Sequence, residues 1–381
     1  MGYAVGLVWL LTIFAGCVRG PVPGATLEKI ATVPMAREER FIASMERAVA
    51  NSLESLSRLS GEEVVSLGNR TLTTGDLMET LETFLAVLRQ TSDGSNLWNR
   101  VGERFDFYEV PAPVTFTAYY EPAVTGSLVE TDRFRYPLYQ VPPEVAAGGA
   151  AHTREAIDSQ GVLAGRGLEL VYLEDPVERF FLHIQGAGTV RLPGNQLLKV
   201  QYDGSNGLPY RSIGKILIAE GKLEPREGSL PGIKRYLQNH PEEMAGIMSL
   251  NERYIFFKAS ESGTQGVNDV ELTPYRSLAT DPAAIPIGSL LFYSTSFPEF
   301  DSQGTLTGWR EKSAFAVSQD VGDAIRGLFR ADIFTGGGAL AEATAGHLKT
   351  RGKLYVLLLK PRPTAAENEI PGRGREYSHR N

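Results

Sequence analysis

Apolar residues recur at helical spacing in the first quarter of the chain. Phe41, Met45, Val49, Leu53 and Leu56 form one stripe, and Leu77, Leu81, Phe84 and Leu88 a second. Spacings of three and four predict core-facing helices within residues 27–90. Residues 96–107 read as a short link. From Val114 the texture changes to short β-branched and aromatic runs. Residues 114–120, 180–184, 196–200, 253–257, 289–293, 314–317 and 353–359 read as strands. Brief helices are expected at 212–220, 233–239 and 241–251. Many short strands separated by Gly- and Pro-rich turns point to a mainly β protein of barrel or sandwich type, with helices at the N-terminus.

Composition narrows the function classes. The chain has 381 residues, enough for two domains, with a net charge of −7. An acidic balance gives no support to nucleic-acid binding. Its single cysteine, Cys17, rules out an intrachain disulfide, and the five histidines have no metal-ligand spacing, so no metal or cofactor is expected. The apolar run GLVWLLTIFAG at residues 6–16 fits the core of a signal peptide, although no Lys or Arg precedes it. FAGC at 14–17 is similar to a bacterial lipobox, which makes Cys17 a candidate for acylation. Residues 18–26 then read as a tether, and the polar stretch 363–381 as a disordered tail.

The candidate chemistry lies in a few segments. QDVGDAIRGLFRAD, residues 319–332, places Asp320 and Asp332 around an apolar patch. A strand enters this segment and the glycines 336–338 leave it. Carboxylates at strand exits suit acid–base work, although an aspartate in a loop more often caps a turn. In TAYYEP, residues 117–122, Thr117 and Tyr119 share one strand face, and aromatic rings beside hydroxyls suit sugars. HIQGAG, residues 183–188, offers Gln185 next to Gly186 and Gly188. YDGSNGLPYRS, residues 202–212, offers Asp203, Asn206 and Tyr210.

Taken in order, FTAYYEP, FFLHIQGAG, YDGSNGLPYRSIG, ELTPYRSLATDPAAIPIG and SQDVGDAIRGLFRADIFTGGG resemble the MltA family of membrane-bound lytic murein transglycosylases, with its three-aspartate (3D) domain. The resemblance runs from about Val114 to Leu359. Asp323, Tyr275 and Ala187 stand where that family commonly has Gly, Gly and Ser. The resemblance implies a double-psi β-barrel built from 27–125 and 269–362, a small β-domain inserted at 126–268, and a sugar groove between them. It also implies that the three aspartates are Asp281, Asp320 and Asp332. Asp332 would be the catalytic acid and then base, with Asp320 and Asp281 supporting it. The substrate would be peptidoglycan glycan strands, cleaved without water to 1,6-anhydromuramyl ends. A lipid anchor at Cys17 would hold the protein to the periplasmic face of the outer membrane, with other cell-wall enzymes as possible partners. The alternative from another class is a non-catalytic peptidoglycan-binding envelope lipoprotein.

Overall fold

The computed structural model describes residues 27–31, 42–62, 64–67, 70–91, 96–149 and 152–361. Cys17, the tether and the tail after Pro361 lie outside these residues.

Six strands close into a barrel. Around the ring they are Lys349–Leu359, Leu290–Phe300, Leu306–Asp320, Ser277–Ala279, Arg330–Gly337 and Val114–Glu121, and the last pairs back onto the first. Two of the pairings are parallel: Ser277–Ala279 with Leu306–Asp320, and Arg330–Gly337 with Val114–Glu121. The others are antiparallel. This closed mixed barrel is the expected double-psi architecture. Closure leaves none of the six strands as a free edge.

Period-two alternation fills both sides of the barrel wall. Leu291, Tyr293, Ala316, Ala331, Ile333 and Val356 pack in the interior. Leu290, Phe292, Phe315, Val317 and Leu357 face outward and are covered by the helices Ile42–Leu56, Thr74–Gln90 and Leu97–Arg104. The two predicted stripes supply that cover: Met45, Val49 and Leu56 from the first helix, and Leu81, Phe84 and Leu88 from the second. Thr73 starts the second helix with a capping box, its hydroxyl accepting from the Asp76 N–H while Asp76 accepts from the Thr73 N–H. Phe315 sits at the centre of this layer, 5.0 Å from both the Phe84 and Phe292 ring centroids and 5.1 Å from Trp98. Phe315→Ala should cost about 3–5 kcal/mol, as for other buried aromatic truncations. Chemical denaturation, with the midpoint read at constant m-value, checks this.

A second sheet of six strands stands beside the barrel. Its order is Ile255–Ser260, Leu197–Ser205, Ala187–Arg191, Ala123–Ser127, Glu169–Leu173 and Tyr136–Tyr139. The helices Pro176–Gln185, Ile213–Ala219, Leu230–Asn239 and Pro241–Ser249 share an apolar cluster next to it.

Three expectations need correction. Residues 180–184 belong to the helix Pro176–Gln185 and not to a strand. A short apolar run fits a strand and a buried helix equally, so the caps decide. Asp175 accepts from the Val177 and Glu178 N–H groups, Pro176 opens the first turn, and Gly186 ends the helix at φ +79°. The stretch 27–90 is also not wholly helical. Glu28–Ile30 pairs with Phe105–Glu109, and a hairpin of Val64–Leu67 and Arg70–Thr73 separates the two helices. β-Branched Val64, Val65, Thr71 and Thr73 favour that hairpin. Finally, the supposed link 96–107 holds both the helix Leu97–Arg104 and the start of the strand Phe105–Glu109.

Candidate active site

A cleft of about 750 Å³ opens between the barrel and the second sheet. From the barrel it is lined by Tyr119, Asp320, Arg330 and Asp332, and from the facing side by Gln185, Gly186, Asp203 and Tyr210.

One strand holds both central carboxylates. The parallel register sets Asp332 opposite Thr117, and the Thr117 hydroxyl donates to Asp332 Oδ1 at 2.6 Å. Two residues on, and on the same face, the Tyr119 hydroxyl donates to Asp320 Oδ2 at 2.7 Å. The Val321 N–H donates to Asp320 Oδ1 at 2.9 Å. Arg330 Nη2 donates to the Thr117 hydroxyl oxygen at 2.9 Å, which makes a chain Arg330–Thr117–Asp332. Asp332 Oδ2 has no hydrogen-bond donor among the described residues, so this oxygen is left for a ligand.

Burial raises the pKa of both carboxyls. For Asp320 it pushes the value up to about 6; the bonds from Tyr119 and Val321 pull the other way, and the neighbouring Asp332 charge adds to the rise. Asp332 is also raised by burial, against the Thr117 hydrogen bond and the Arg330 charge. The neighbouring Asp332 charge works to raise Asp320, whereas the Arg330 charge works to lower Asp332. Burial, with Asp320 alongside, holds the Tyr119 phenol well above its ordinary range, so it stays a donor.

The other predicted residues divide. Gln185 accepts the Tyr120 N–H through Oε1 at 3.1 Å, which ties the second sheet's helix to the barrel strand at the cleft. Asp203 lies 3.6 Å from the Lys258 ammonium on the adjacent strand. Tyr210 lines the wall. Three others point elsewhere. Asp281 does not line the cleft; it accepts from the Ala283 N–H at 3.1 Å and the Gly327 N–H at 2.7 Å, tying its turn to the loop that leads into Arg330. Asn206 is 4% exposed, with its amide donating to His152 O and Glu252 O and its oxygen accepting from the Tyr254 N–H. A side chain so fully bonded to backbone shapes the loop and has little left for a ligand. Gly188 is needed for packing: a Cβ there would lie 2.5 Å from Leu182 Cδ1 and 2.8 Å from Pro122 O.

Sequence reasoning missed four cations of the cleft, among them Arg154, which is buried. Lys258 and Arg253 come from the facing side, and Arg253 Nε reaches across to Asp323 Oδ2 at 2.6 Å. The fourth is Arg330, for which a signal existed. It stands two residues before Asp332 in a strand, so the two share a face.

Known proteins resemble this chain in sequence and in architecture. A family model for the MltA specific insert domain matches residues 115–258, and one for the 3D domain matches 276–358. Membrane-bound lytic murein transglycosylase A of Vibrio cholerae is 32% identical over 261 residues, which is 68% of this chain and 69% of the relative. The Escherichia coli K12 protein of the same name is 32% identical over 251 residues, 65% of this chain and 66% of the relative. Among solved structures, a membrane-bound lytic murein transglycosylase from Agrobacterium tumefaciens superposes with a TM-score of 0.73 at 24% identity, covering 88% of this chain and 98% of that one. E. coli MltA with bound chitohexaose gives 0.72 at 24% identity, covering 90% and 97%. The structural likeness carries the fold, and the sequence identity across both matched regions carries the kinship: the chain belongs to the MltA family of membrane-bound lytic murein transglycosylases.

Proposed function

We propose that this protein is a lytic transglycosylase that cleaves the β-1,4 bond between N-acetylmuramic acid and N-acetylglucosamine in peptidoglycan. The observation that carries the reading is Asp332, whose Oδ1 is fixed by Thr117 while Oδ2 is left toward the cleft. Protonated Asp332 gives its proton to the glycosidic oxygen as the bond from that oxygen to muramyl C1 breaks. The muramyl C6 hydroxyl then attacks C1, and its proton passes to the Asp332 carboxylate. A 1,6-anhydro ring closes and the enzyme returns to its starting state without water. Hydrolytic glycosidases need a second carboxylate as base or nucleophile. Here the substrate's own hydroxyl replaces it. Asp320 acts as the second holder of the proton, and Tyr119 orients it.

Digestion of purified sacculi with mass analysis of the products tests this. Anhydromuropeptides, one water lighter than hydrolytic products, are expected. Release of reducing muramyl ends would make the enzyme a hydrolase. Binding without any release would leave the non-catalytic lipoprotein reading.

The relatives' name, membrane-bound, bears on location. No helix among the described residues is long and apolar enough to cross a membrane. An acylated Cys17 would supply an anchor, stable when two or more chains are attached. Cys17→Ser should therefore move the protein from the membrane fraction to the soluble one while activity on soluble glycan is retained. Continued sedimentation with membranes would rule out Cys17 as the anchor.

A further inference from the structure

Four cations line the cleft, and one of them differs from the rest. Arg154 lies 3.6 Å from Asp158, Arg253 2.6 Å from Asp323, and Lys258 3.6 Å from Asp203. Arg330 has no ion-pair partner among the described residues. Its one hydrogen bond goes to the Thr117 hydroxyl, which bonds Asp332 in turn, and its charge acts on Asp332 without an ion-pair contact. The residue is half-buried at the cleft wall. A guanidinium that is partly removed from water and lacks an anion gains most from a ligand that brings one, and its planar fork matches a carboxylate.

Position says which part of the ligand that would be. Arg330 and Asp332 are two residues apart on one strand face, about 7 Å at the backbone. Asp332 works at the oxygen on muramyl C1. Muramic acid differs from glucosamine by a lactyl ether on C3, two ring carbons from C1, so the lactyl group hangs within reach of a long side chain next to the catalytic carboxylate. The lactyl carboxylate is free on strands stripped of peptide. On strands that carry a stem, the stem's own carboxylates hang from the same point.

We propose that Arg330 is a specificity residue that binds a carboxylate carried on muramyl C3, and so selects acidic murein strands over uncharged glycans of the chitin type. The proposal rests on the transglycosylase reading, since that reading places the muramyl ring beside Asp332. One consequence concerns the proton. Asp332 is faced by Thr117, Tyr119, Asp320 and Arg330. Of these, Arg330 is the cation holding its pKa down, so an anion bound to Arg330 favours the protonated form of Asp332 when substrate arrives.

The test is binding, measured by calorimetry on the intact chain and on Arg330→Gln and Arg330→Lys. Three ligands are compared: stem-free glycan strands with free lactyl carboxylates, peptide-bearing strands, and chitohexaose. Arg330→Gln should weaken binding of acidic strands roughly 10-fold or more, as for loss of a charged hydrogen bond. Chitohexaose binding should be unchanged, and Arg330→Lys should fall between. A loss on stem-free strands assigns the lactyl carboxylate; a loss on peptide-bearing strands alone assigns the stem. Equal losses on all three ligands, or no loss on any, would overturn the proposal and leave Arg330 as a support for Thr117. Because binding is read and not turnover, failure of the Asp332 assignment would show separately, as absent cleavage by the unsubstituted protein.

Discussion

Asp332→Asn should bind glycan with near-normal affinity and cleave it ~10²–10⁴-fold more slowly, the usual contribution of a general acid–base group. The loss should lie at the upper end, because one carboxyl is asked to serve both proton transfers. Asparagine keeps the size and the acceptor oxygen, so the Thr117 hydroxyl retains its partner and the strand pairing is undisturbed. What the amide loses is the ability to give a proton at neutral pH and take it back. Turnover of soluble glycan, with binding measured on the same preparation, checks this. Near-normal release of anhydro products would move the catalytic role to Asp320, whose pKa burial raises to about 6.

How far the site was legible depended on the kind of interaction. Thr117 and Tyr119 could be picked out because strand alternation is written in the sequence, and Asp320 and Asp332 because they stand in a motif of the family that the chain resembles. Two residues apart on one strand means one face, and here each of the pair holds one carboxylate. Asn206 and Gly188 looked equally polar or permissive, but their use depends on neighbours far along the chain. Asn206 serves carbonyls at positions 152 and 252, and Gly188 makes room for Pro122. No local pattern encodes such contacts. The helix Pro176–Gln185 is hidden for another reason: the five-residue run 180–184 fits a strand by itself, and the helix signal lies in the Asp-Pro cap in front of it.

Tyr275 shows a local departure being compensated by packing. It has φ +62°, a conformation in which glycine is free of strain and a tyrosine is not. Its N–H donates to Phe334 O at 2.7 Å, its carbonyl accepts from the Tyr293 hydroxyl at 3.2 Å, and its ring packs 5.9 Å from Phe297. These contacts hold the turn that carries the chain into Ser277–Ala279, the strand whose Ala279 pairs with Asp332. The aromatic side chain is retained by the barrel core, while the backbone adopts the shape the strand requires.

Asp320→Asn should lower activity and move the alkaline limb of the rate profile toward acid. Burial, with the Asp332 charge adding to it, raises Asp320 to about 6, and that proton holder disappears in the amide. Asp332 is then left to hold the proton alone, raised by burial with the Thr117 bond and the Arg330 charge pulling the other way. Stability supplies an independent readout. A carboxyl whose folded pKa is raised contributes stability that is fully present below its unfolded pKa and is lost as pH rises through the folded value. For Asp320 that window runs from about 4 to about 6, and above it the folded protein carries a buried charge at a cost. The neutral amide removes the cost and can still accept from Tyr119, so Asp320→Asn should melt no lower than the unsubstituted protein at pH 8 and show a flatter dependence on pH. Rate profiles and melting temperatures taken on the same samples from pH 4 to pH 8 decide the matter. An unshifted alkaline limb together with a lowered melting temperature at pH 8 would mean that Asp320 serves the loop at Val321 and takes no part in holding the proton.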